Sequence, residues 1–185
     1  MIKYLLLLML VLPFSVHAET MSVDEAYNAI PHRKTDFIAQ DSKIDAASIK
    51  YLEQMFELVN RAIVQRVQTF QWFSSRGGQG NSYEEYSKNI AMIQKTLDEL
   101  NAPASLANVK SLVAQSIKDQ SDYFKSWDTR VRAGEAYQFN RGDPLILSSH
   151  NGLVNAYYQL MQTFPRENGV NKQAFFDHLC ALDFI

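Results

Sequence analysis

The feature that most constrains this chain is an apolar stripe recurring at spacings of three and four residues through four long segments. Leu52, Phe56, Val59, Ile63, Val67, Phe70 and Phe73 mark the first, between about Ala46 and Ser75. Tyr86, Ile90, Ile93, Leu97 and Leu100 mark the second. Leu106, Val109, Val113, Ile117, Gln120, Phe124, Trp127 and Val131 mark the third, and Ile146, His150, Leu153, Tyr157, Leu160 and Phe164 the fourth. A period near 3.6 puts each set on one face of an amphipathic helix, and such a face is stable only against another apolar surface.

Local signals bound these segments. Ser22-Val23-Asp24-Glu25 and Ser82-Tyr83-Glu84-Glu85 have the capping-box pattern, in which a serine and a glutamate satisfy the first free N–H groups of a helix. Arg76-Gly77-Gly78-Gln79-Gly80-Asn81 is a turn, and Asp143-Pro144 is a helix start with proline at the first helical position. Pro31 closes a short first helix, and a short last one opens at Asn171. The resulting expectation is an all-α fold, with four long amphipathic helices in an up-down-up-down antiparallel bundle and short helices added at either end. Glu135 to Gly142, "EAYQFNRG", is the longest irregular stretch within it.

The first eighteen residues have a different character. Lys3 precedes an apolar run from Tyr4 to Phe14, and small residues stand at Val16 and Ala18. That is the layout of a secretory signal peptide cleaved after Ala18, and the run is shorter than the roughly 20 residues a membrane span needs. Cleavage leaves residues 19–185 as one helical domain, periplasmic or secreted, with no membrane span. Its 17 Lys and Arg against 20 Asp and Glu are scattered, so the electrostatic footprint of a nucleic-acid binder is missing. Cys180 is the only cysteine, which excludes a disulfide within the chain and a thiolate zinc site. It reads as a small buried hydrophobe on the last helix.

Alternating helix directions would bring Phe73, Tyr86, Tyr123, Phe124 and Trp127 to one end of the bundle, beside His150. These six form the candidate ligand-binding set, an aromatic-walled pocket for a flat or amphipathic molecule with His150 as its polar anchor. Ordinary core packing is the competing explanation. A second candidate is His32, Arg33 and Lys34 within "AIPHRKTDF", either an anion-recognition loop or a connector whose charges pair locally and complement a helix C-terminus.

Specific chemistries find little footing. Cys-x-x-Cys-His and Glu-x-x-His are both absent, and Met92 is a level too deep to ligate a haem beside His150. Glu53/Glu57 and Asp119/Asp122 lie off the stripes and read as solvated. Arg141-Gly142-Asp143 reads as a turn and helix cap. No catalytic residue, metal or cofactor is assigned. The expected role is a non-catalytic binding or accessory protein, with a small-molecule carrier second and an enzyme third. The sequence names no partner and no oligomeric state.

Overall fold

A computed structural model describes residues 21–40 and 42–184. The proposed signal peptide, residues 1–18, lies outside them. The described chain is helical, without a strand: α1 (Val23–Ala29), α2 (Ala46–Ser74), α3 (Tyr83–Glu99), a 3-10 turn (Ala104–Leu106), α4 (Ala107–Arg132), α5 (Pro144–Thr163) and α6 (Gly169–Leu182). No helix among the described residues is long and apolar enough to cross a membrane.

The caps do what their chemistry dictates. The Ser22 hydroxyl accepts from the Glu25 N–H at 3.2 Å while the Glu25 carboxylate accepts from the Ser22 N–H at 2.7 Å. Ser82 and Glu85 repeat the exchange. Asp143 accepts from the Leu145 N–H, with Pro144 behind it. Where α4 ends, Gly134 takes φ +81°, its N–H donates to Val131, and the Glu135 N–H donates to Arg130. This pairing of C-terminal carbonyls needs a left-handed residue, which glycine supplies without a Cβ clash.

The stripes meet as a ring. α2 packs on α3, α3 on α4, α4 on α5, α5 on α6, and α6 back on α2. The last helix is therefore a member of the core and no mere appendage. It begins at Gly169, two residues before the expected start, because the Asn168 side chain caps it by accepting from the Asn171 N–H. Phe175, Leu179 and Leu182 on its inner face are buried, standing between α2 and α5.

Polar groups secure this helix at both ends. Asn171 exchanges two hydrogen bonds with the backbone of Ile38, and Glu167 accepts from Ser42 and from the Lys43 N–H. These bonds hold the connector before α2. At the other end the Leu182 carbonyl accepts from Gln120 and the Ala181 carbonyl from Arg66. α4 and α5 pack tightly at Gly152, where an added Cβ would lie 2.4 Å from Ser116 Oγ. That hydroxyl already shares its one proton between the Leu112 carbonyl at 2.9 Å and the Ser149 carbonyl at 3.1 Å.

Candidate functional site: an aromatic cleft

The aromatic end expected from the stripes is present, and it carries a cleft. α2 contributes Phe70, Trp72 and Phe73 from its last turns, and α4 contributes Trp127 and Val131. The third wall is the irregular stretch after α4. The turn at Gly134 sends the chain back across the bundle end, laying Tyr137 edge-on to Trp127 at 5.7 Å and Phe139 edge-on to Phe70 at 5.4 Å. The guanidinium of Arg130 sits 4.8 Å over the Tyr137 ring, and the Tyr123 hydroxyl accepts from the Asn140 N–H at 3.0 Å. The volume of the cleft is about 690 Å³. Both tryptophans of the chain line it.

Of the six residues expected to share one pocket, the structure brings five together. Phe73 and Trp127 line the cleft, stacked at 4.6 Å. Phe124, Tyr123 and Tyr86 lie behind them, fully buried, with Phe124 4.9 Å from Tyr86 and 6.0 Å from Tyr123. Burial pushes the phenols of Tyr86 and Tyr123 well above the ordinary tyrosine range, so both stay neutral.

His150 stands apart. It lines a separate cavity of about 240 Å³ with Leu153, Tyr157, Phe176, Cys180 and Asp183. Its Nδ1 pairs with the Asp183 carboxylate, whose side chain is 8% exposed against 35% for the imidazole. The acidic partner missing from its own stripe comes from the end of α6. Cys180 shares this cavity, but no hydrogen bond joins it to His150 among the described residues. Burial, then the carboxylates of Asp183 and Asp177, pushes its thiol up, opposite to what an attacking thiolate needs.

The residue that replaces His150 beside the aromatic group is Phe184. Its ring lies 5.5 Å from Phe124, 5.9 Å from Tyr123 and 5.5 Å from Phe139. Nothing in the stripes pointed to it, because it follows the last helix. Tyr137 and Phe139 did leave a signal. Two aromatics spaced by two in a polar stretch point to the same side of extended chain.

The "PHRK" segment follows α1, and of its cationic side chains only Lys34 pairs with carboxylates among the described residues. Lys34 pairs with Asp24 at 2.9 Å and Asp36 at 3.5 Å, and hydrogen bonding to Asp24 is the main cause that raises its pKa. Arg33 is exposed. The His32 ring lies between Tyr27 and Phe176, 6.4 Å from each. Behind it His178, 3% exposed, stacks on Phe56 at 4.5 Å and places Nδ1 2.9 Å from Asn60 Oδ1 and 3.0 Å from the Tyr27 hydroxyl. Burial lowers its pKa to about 4.

Two readings of side chains change. Asp119, expected on a solvated face, is buried with one oxygen accepting from Gln115, whereas Glu53 and Glu57 are exposed. Cys180, expected as a buried hydrophobe, is partly exposed, and Met92, which lies off the stripe, is 48% exposed. Among the described residues no three His, Cys, Asp or Glu side chains converge as a metal site.

Set against known proteins, the chain matches no family model, no curated protein and no solved structure.

Proposed function

We propose that this chain is an exported, non-catalytic helical binding protein whose aromatic cleft carries an apolar or amphipathic small molecule. The observation that carries this reading is the cleft of about 690 Å³ walled by Phe70, Trp72, Phe73, Trp127, Tyr137 and Phe139. A ligand pocket is typically about 300–1,000 Å³, and Ser74, Arg76, Glu135 and Gln138 add polar groups to the rings of this one. Aromatic side chains offer stacking faces as well as apolar area. The carrier function expected around His150 thus moves to a neighbouring site that shares Phe73 and Trp127 with it. We read the four long helices as running alternately up and down, which the short α2–α3 and α3–α4 connections favour, with α6 closing the ring.

Trp72 and Trp127 make the test direct. Titration with the neutral probe N-phenyl-1-naphthylamine should give saturable energy transfer from tryptophan, and Phe139→Ala should weaken it about fivefold or more. Absence of saturable transfer in the native protein would sink the proposal. Export rests on Lys3, the apolar run and Ala18. A protein recovered from the periplasm or medium of its host with Glu19 at its N-terminus would support it, and retention of residues 1–18 in the cytoplasm would end it.

A further inference from the structure

Arg66 lies two turns before the end of α2 with its side chain in the core, 6% exposed. Burial lowers its pKa to about 10, which still leaves the guanidinium charged at neutral pH. Nη2 donates to the Ala181 carbonyl at 2.8 Å and the guanidinium carbon sits 5.0 Å over the Phe184 ring. Nε is buried and has no acceptor among the described residues. No carboxylate there reaches ion-pairing distance. Asp183 supports the charge only at longer range, and its oxygens already engage His150 and the Phe184 N–H. A buried cation with an unused N–H is costly, and such groups ordinarily find an anionic partner.

The space beside this guanidinium is a cavity of about 250 Å³, lined by Arg66, Val67, Phe70, Phe139, Arg141 and Phe184 among others. Arg141 is exposed and unpaired among the described residues. Two arginines therefore line one small space, and Asp183 acts on Arg66 only at longer range. Neither arginine has a carboxylate within ion-pairing distance among the described residues, which suits an anionic ligand group. Phe70 and Phe139 line this cavity and the aromatic cleft alike, so the charged and aromatic compartments share a wall of two rings.

We propose that this cavity holds the carboxylate of an amphiphilic monocarboxylic acid whose apolar body crosses Phe70 and Phe139 into the aromatic cleft. The inference rests on the binding function proposed above and adds the ligand's headgroup. Arginine is suited to the role because its planar fork presents parallel N–H donors to a carboxylate and stacks on aromatic rings.

The test compares 6-phenylhexanoate with 6-phenylhexanol by calorimetry and by displacement of N-phenyl-1-naphthylamine. The acid should bind about tenfold more tightly, the worth of one or two charge-assisted hydrogen bonds. Arg141→Gln and Arg66→Gln should each remove most of that preference, by weakening the acid more than the alcohol. Arg141 is exposed, so its variant decides the matter if Arg66→Gln does not fold. Equal affinity for acid and alcohol, or a preference that survives Arg141→Gln, overturns the carboxylate site and leaves the aromatic cleft standing. Failure of the naphthylamine and both phenylhexyl compounds to bind overturns the two proposals together.

Discussion

The ring of Phe184 lies 5.5 Å from that of Phe124, so the second residue after the last helix completes the aromatic end of the core. It reaches that position because α6 is wedged between α2 and α5, with its final carbonyls held by Arg66 and Gln120. The cleft is what remains at the surface once this interior is filled.

Phe184→Ala should destabilise the fold by about 3 kcal/mol, the usual cost of a large-to-small change where neighbours cannot collapse into the space. Urea unfolding followed by circular dichroism measures it. A change below about 0.5 kcal/mol, typical of a surface site, would show that the ring is not seated in the core.

Acid should weaken the protein through His178. Its pKa is about 4 in the fold and 6.5 in the unfolded chain, because burial disfavours the imidazolium. Between those values the unfolded state binds more protons, so stability falls as pH falls from 6.5 towards 4. The loss between pH 7 and pH 5 should be about 2 kcal/mol in excess of that in His178→Gln. Matching pH profiles for the two proteins would contradict the assignment.

Arg76 ends α2 at φ +56°, with its N–H donating to Phe73 and the Gly77 N–H donating to Trp72. A side chain there bears a steric cost that glycine lacks. Arg76→Gly should therefore raise stability by about 0.5–1 kcal/mol, even after the added freedom of the unfolded chain is counted. A lower thermal midpoint in the variant would mean that the Arg76 side chain makes a compensating contact at the cleft rim.

At the α4–α5 crossing, Gly152→Ala should cost about 1–2 kcal/mol despite alanine's better helix propensity. The new methyl meets Ser116 Oγ, which two hydrogen bonds restrain. Adding Ser116→Ala should recover much of the loss, and a double-mutant cycle in urea would read the coupling. Purely additive effects would place the strain elsewhere.

Much of the architecture was legible in the chain by itself. Ser22, Ser82 and Asp143 act on N–H groups two or three residues away, and the stripes are set by the 3.6-residue period, so element positions and buried faces follow from local physics. The grouping of Phe73, Tyr86, Tyr123, Phe124 and Trp127 was readable for the same reason. Periodicity says which face of a helix is buried but not which helix lies against it. That choice was tertiary. The insertion of α6 between α2 and α5 gave His150 the Asp183 carboxylate and a cavity of its own, and it delivered Phe184 to the aromatic group. It also left the Arg66 Nε without an acceptor. These relationships join residues far apart in sequence, and only the packing of whole helices brings them within reach.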